Sequence, residues 1–159
     1  MANVKPVETE PSAIMETYTD WAVRCITPVA IEGATPVERV CEMFQELRQQ
    51  KDGKRVVTVS VRANDDNLTG RATIISPFGI LLSEGVRLEI EETELFTAEF
   101  QTCFPNGCIA TAPIDAKNIE ALIKAKEAKV VMTALPESPF NVAISLAGFK
   151  AAWNRLAEL

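Results

Sequence analysis

The sequence predicts a mainly β protein: an antiparallel, jelly-roll-like β-sandwich with one short internal helix and a short C-terminal helix. Three observations point there. Short segments of alternating apolar and polar residues recur along the chain, as at residues 56–61 and 86–91. Turn-forming runs separate them, among them Lys51-Asp52-Gly53-Lys54 and Ser76-Pro77-Phe78-Gly79. Apart from one ambiguous segment, a helical period is confined to two stretches late in the chain. At 159 residues the expectation is a flexible tail over 1–16 and a single disulfide-stabilised β domain over 17–159.

Each element follows from its residues. Prolines and charges without apolar periodicity make 1–16 the tail. Trp21, Val23 and Cys25 share one face of a strand, with Ala22, Arg24 and Ile26 on the other. Pro28 and residues 33–36 mark a loop. Residues 37–47 read two ways. Val37, Val40, Cys41, Phe44 and Leu47 form a helical stripe, while Cys41, Met43, Gln45 and Leu47 form a strand face, and the periodicity slightly favours the helix. The hairpin turn at 51–54 leads into the strand 56–61. A polar loop over 64–70 follows, then a strand over 72–75. Pro77 and Gly79 supply a tight corner, with Phe78 packing inward, and 80–82 and 86–91 continue as strands.

Residues 95–103 and 108–114 form a hairpin around the turn-forming run Phe104-Pro105-Asn106-Gly107. Asp115 is a good N-cap for a helix through Ile119, Leu122, Ile123 and Lys126. Residues 130–134 and 141–146 are strands, separated by Pro136 and Pro139. Residues 147–159 close the chain as a helix with Phe149, Trp153 and Leu156 on one face. Trp21 and Trp153 therefore belong to the core rather than to a ligand platform.

The four cysteines, Cys25, Cys41, Cys103 and Cys108, suit two disulfides. A hairpin places Cys103 opposite Cys108. That leaves Cys25 with Cys41, closing a loop of about 15 residues for roughly 3 kcal/mol in the chain-entropy model. The spacing fits neither the close pairs of a zinc site nor a C-x-x-C redox motif. Disulfides imply a periplasmic or secreted protein. Residues 1–16 do not read as a signal peptide, so a mature form with that segment removed is expected.

Composition narrows the chemistry. The chain has no histidine, which removes Ser-His-Asp and Cys-His systems and HExxH metal sites. Its net charge of −6 disfavours nucleic acid. No apolar run is long enough for a transmembrane segment.

The charge is local. Glu84, Glu89, Glu91, Glu92, Glu94 and Glu99, opposed only by Arg87, hold five of the six net negative charges. Paired carboxylates suit glycoside hydrolysis or Ca²⁺, but Glu89 and Glu91 alternate with Leu88 and Ile90 as in a half-buried strand with a solvated face. Glu89, Glu91 and Glu92 are candidate partner-binding residues on that face. Residues 64–67 lack the spacing of a calcium loop, and Ser76 lies in no nucleophile elbow. Phe104, Pro105 and Asn106 are the second candidate binding set, because a stapled loop loses little entropy on docking. This loop is expected beside the acidic segment.

Taken in order, Trp21-Ala22-Val23-Arg24-Cys25, Cys41, Ser76-Pro77-Phe78-Gly79-Ile80-Leu81-Leu82, Gly85-Val86, Cys103, Gly107-Cys108 and Ser145-Leu146-Ala147-Gly148-Phe149 resemble the invasion-associated locus B family of alphaproteobacteria, from about Tyr18 to Leu156. The resemblance implies an exported, periplasmic or envelope-associated β protein, with founding members linked to host-cell invasion. It carries no catalytic residues, and it tips residues 37–47 toward a strand.

The expectation is surface recognition of an envelope or host-surface protein, with no cofactor, no metal and no catalysis. The alternatives are a carboxylate-dependent hydrolase of envelope or host polysaccharide, or a structural envelope protein without a dedicated ligand.

Overall fold

The computed structural model describes residues 13–27 and 39–159. Among them are ten strands: β1 (Ala13–Tyr18), β2 (Trp21–Ile26), β3 (Val40–Arg48), β4 (Arg55–Ala63), β5 (Gly70–Ser76), β6 (Val86–Ile90), β7 (Thr93–Phe104), β8 (Gly107–Ile114), β9 (Glu127–Ala134) and β10 (Ser138–Ser145). Helix α1 (Ala116–Lys124) joins β8 to β9, and α2 (Phe149–Glu158) ends the chain. The strands run antiparallel in the order β1-β2-β3-β4-β5-β8-β7-β6-β9-β10. The mainly β, antiparallel, sandwich-like architecture read from the sequence is the one observed.

β7 joins the two layers. Its first half, Thr93 to Ala98, pairs with β6, and its second half, Glu99 to Phe104, pairs with β8 across a register shift between Phe100 and Thr102. A strand that changes partners at a bulge is how a twisted sheet turns a corner onto itself. Val59, Ile74 and Ala110 from one layer then share a core with Val86, Leu88, Val130 and Ile144 from the other. α2 covers β1 to β4, burying Phe149, Ala152, Trp153 and Leu156.

The layers are stitched where β10 ends. The Gln45 amide, buried on the inner face of β3, donates to the Ser145 carbonyl (3.1 Å) and accepts from the Ser145 N–H (3.2 Å), standing in for a strand neighbour. Its nitrogen also donates to the Asp20 carbonyl at 2.9 Å. Trp21 Nε1 donates to the same Ser145 carbonyl at 2.9 Å, and its ring meets Phe149 edge-on at 5.2 Å. Gly148 makes the turn into α2 at φ +92°, where a Cβ would lie 1.8 Å from the Tyr18 carbonyl oxygen.

Several expectations are corrected. Residues 13–16, assigned to the tail, form β1 with Tyr18, because Ile14, Glu16 and Tyr18 turn one face toward α2; residues 1–12 lie outside the described residues. Residues 40–47 are strand, as the family resemblance implied and against the helical lean of the periodicity, with Cys41 opposite Cys25; the loop around Pro28 and 33–36, and residues 37–38, lie outside the described residues. Residues 80–82 are no strand: Ile80 makes one bridge to Ala134, and a 3-10 turn follows over Leu82–Glu84. Phe78 is 61% exposed, because Ile80 takes the inward position at that corner and Gly79 turns the chain at φ +82°.

Candidate functional site

The disulfides are Cys25–Cys41 and Cys103–Cys108, each joining directly opposed residues of neighbouring strands. They pin opposite ends of one layer. Cys41 lies in register with Ala63, Gly70 and Ile114, whereas Cys108 pairs with Ser76, six residues along β5, or about 20 Å away.

The Cys103–Cys108 end carries the first candidate set. Phe104 and Gly107 pair with each other, so the expected four-residue loop narrows to the two residues Pro105 and Asn106. Three restraints fix this tip. The disulfide closes its base. Arg55, at the start of β4, donates from its guanidinium to the Asn106 carbonyl. Gly107, at φ +142°, packs so near Ser76 that a Cβ would lie 2.3 Å from its carbonyl oxygen. Pro105 and Asn106 are exposed and Phe104 is half-buried beside them. A contact element held this way has little freedom left to lose on binding. Arg55 escaped the sequence reading because its partner lies 51 residues away.

The acidic set occupies the other end of β7. Glu91 and Glu92 form the two-residue turn between β6 and β7, with φ +50° and +66°. Glu89, half-buried, opposes Glu94 across the hairpin and Lys129 on β9, and its carboxylate lies 3.8 Å from Arg87 Nε. Glu84 and Glu99 are exposed. The Thr97 hydroxyl donates to the Glu94 carboxylate.

The turn forms one wall of a cleft of about 570 Å³ whose other wall, where α1 passes into β9, carries Lys124, Lys126, Lys129 and Glu127. The cleft is therefore lined by lysine side chains as well as by carboxylates instead of forming a purely negative patch. These lysines were legible in the sequence as residues but not as neighbours of the turn, because nothing local relates residue 91 to residue 126. The groove can hold a ligand bearing both charge signs.

The two candidate sets are not brought together. Eleven peptide steps of β7 separate Thr93 from Phe104, a contour of about 36 Å. The expectation that the stapled loop sits beside the acidic segment is corrected: β7 enters from the acidic turn and leaves at the tip. Among the described residues no group of three or more acidic or cysteine side chains is placed to hold a metal ion. No helix among them is long and apolar enough to cross a membrane.

The geometry has counterparts in known proteins. Residues 21–157 match the model of the invasion associated locus B (IalB) protein family. An invasion protein B homolog of Brucella abortus (strain 2308) is 36% identical over 152 residues, covering 93% of this chain and 82% of that protein. Invasion protein B of Bartonella bacilliformis is 30% identical over 171 residues, covering 99% and 87%. The crystal structure of invasion associated protein b from Bartonella henselae superposes with a TM-score of 0.77 at 33% identity, covering 91% of this chain and 95% of that one. The matched span contains both disulfides, the β7 corner and α2 up to residue 157. The chain belongs to the invasion associated locus B family.

Proposed function

We propose that this protein is exported to the periplasm or beyond and serves the cell envelope as a recognition protein linked to host-cell invasion, with the stapled tip as its contact element. The observation that carries the reading is the threefold fixation of Pro105–Asn106 by the disulfide, the Arg55 guanidinium and the Gly107–Ser76 contact. Holding an exposed turn this firmly removes the ordering cost that a free loop meets on docking. Two disulfides fit an oxidising compartment. The relatives named for invasion support the setting, and an envelope or host-surface protein is the partner class that a small rigid hairpin tip fits.

The test is saturable binding of fluorescently labelled protein to cultured host cells and to isolated bacterial envelopes. Wild type is compared with Phe104→Ala/Pro105→Ala/Asn106→Ala and with Cys103→Ser/Cys108→Ser. Both variants should lose most of the saturable component while keeping the wild-type circular dichroism. Equal binding by all three proteins would remove the tip from the function.

A further inference from the structure

Between β6 and β9 the sheet comes apart. Their pairing runs from Arg87 with Val131 to Glu89 with Lys129 and ends there, although β9 begins two residues earlier, at Glu127. Beyond the last pair lies the cleft of about 570 Å³, bounded by the Glu91–Glu92 turn and by the junction of α1 with β9.

The ladder decides which backbone groups meet that opening. The Thr133 carbonyl accepts from the Leu81 N–H, on the side of β9 away from β10. Alternate residues of an antiparallel strand turn both backbone groups to the same side, so Val131, Lys129 and Glu127 do likewise. The opposite strand agrees: Ser145, paired with Glu127 in register, gives its N–H and carbonyl to Gln45 and not to β9. Val131 and Lys129 meet β6. The Glu127 N–H and carbonyl have no backbone partner among the described residues, and Glu127 is exposed. They offer a donor and an acceptor at strand spacing to whatever enters the cleft.

The side chains are equally unengaged. Glu91, Glu92 and Glu127 line the cleft with Lys124, Lys126 and Lys129, three of each sign, and none of the six is in an ion pair among the described residues. Glu89 lines it too, with Arg87 at 3.8 Å. Asp20 and Glu46 belong to a neighbouring hollow that shares Lys126 and Glu127. A polyanion or a polycation meets repulsion from half of such a lining, whereas a molecule with one carboxylate and one ammonium gains from both halves. Strand-spaced backbone groups beside balanced charge describe the complement of a peptide, whose main chain continues the ladder that β6 leaves.

We propose that this cleft binds short peptides with both ends free. The N–H and carbonyl of a central residue pair with the carbonyl and N–H of Glu127, the terminal carboxylate lies with Lys124 and Lys126, and the terminal ammonium lies with Glu91 and Glu92. A tripeptide, at most about 11 Å long, suits the volume. The site is independent of the stapled tip, which lies at the other end of β7.

The probe is trialanine, titrated into the isotope-labelled full chain while the Glu127 amide resonance is followed by NMR. That resonance should shift saturably. Capping either end, as N-acetyl-trialanine or trialanine amide, should weaken binding about threefold. Methylating the central nitrogen keeps both charges and removes one donor, and should weaken it about fivefold. ω-Aminooctanoate, a zwitterion of the same chain length without amide groups, should bind about tenfold more weakly. In Lys124→Gln/Lys126→Gln the carboxyl cap should cost nothing further, and in Glu91→Gln/Glu92→Gln the amino cap should cost nothing further. Phe104→Ala/Pro105→Ala/Asn106→Ala should bind as wild type does. The capped and methylated peptides are compared on the unaltered protein, so their result does not depend on the folding of any variant.

Three results would overturn the proposal. One is the lack of a saturable shift at Glu127. Another is ω-aminooctanoate binding as tightly as trialanine, which assigns the cleft to charge alone. The third is caps that cost the same in the glutamine variants as in wild type, which removes these side chains from the recognition of the peptide ends.

Discussion

Arg155 holds the Glu16 carboxylate through two nitrogens, Nε at 2.7 Å and Nη2 at 2.9 Å, tying α2 to β1 across 139 residues of sequence. The Tyr18 hydroxyl donates to the same carboxylate at 2.7 Å. Hydrogen bonds from Arg155, then from Tyr18, lower the Glu16 pKa to about 2, and the bond to Glu16 raises that of Tyr18. Because the folded pKa lies below the ordinary value of 4.5, the pairing stabilises fully above that pH and is lost as pH falls toward 2. Glu16→Gln should therefore lower the melting temperature at pH 7, and the gap to wild type should close between pH 4.5 and pH 2. A gap that persists unchanged at pH 2 would contradict this assignment.

Trp21 combines three roles: a ring 1% exposed, an edge-on contact with Phe149, and a hydrogen bond that helps hold the end of β10. Truncation to alanine should cost about 3–5 kcal/mol in a denaturant titration, through the cavity it leaves. Trp21→Phe keeps most of the apolar volume and loses the indole donor, so roughly 1–2 kcal/mol is expected there.

Glu91 and Glu92 occupy the left-handed region in a two-residue hairpin turn, a position that asparagine and glycine fill at less cost. Replacing them as Glu91→Asn/Glu92→Gly should raise the stability by about 1–2 kcal/mol. The same substitution removes two carboxylates from the cleft that Lys124, Lys126 and Lys129 also line. Thermal melts read the first effect, and titration with a zwitterionic probe reads the second.

The two disulfides should differ in worth because their loops differ. Cys25→Ser/Cys41→Ser opens a separation of 16 residues and should cost about 3 kcal/mol, whereas Cys103→Ser/Cys108→Ser opens a separation of 5 and should cost about 2. Urea midpoints of the two double variants, at equal slope, give the comparison. The smaller cost at the tip leaves its serine variant folded, so that variant reports on recognition.

Strands with a regular inner face were legible from local pattern. Val57, Val59 and Val61 of β4 need no knowledge of the rest of the chain to be read as buried alternate residues. β1 was not legible, because Glu16 and Tyr18 look like surface residues until Arg155 arrives from the other end of the sequence. β3 misled for a related reason. Gln45 stands on its buried face, where its polarity is answered by Ser145, 100 residues on, and without that partner the strand period looks broken. The family resemblance placed the strand where periodicity leaned toward a helix.

The candidate sites divide in the same way. The pairing of Cys103 with Cys108 across a hairpin follows from a few adjacent residues. The Arg55 restraint, the lysine wall and the exposure of Phe78 each depend on elements far apart in sequence. A bulky aromatic beside a tight corner is ordinarily read as core, and only the bridge between Ile80 and Ala134 shows that the inward place is taken.

Both ends of the described chain gather at the Cys25–Cys41 end of the layer: Ala13 lies opposite Ile26, and Leu159 lines the same hollow as Cys41, Ala63 and Asn64. A surface linker, fluorophore or affinity tag joined past Leu159 therefore attaches on the side away from Pro105 and Asn106. Protein tethered in this way presents its rigid tip outward, toward whatever surface approaches. An attachment near residue 52, in the turn beside Arg55, turns the tip toward its support.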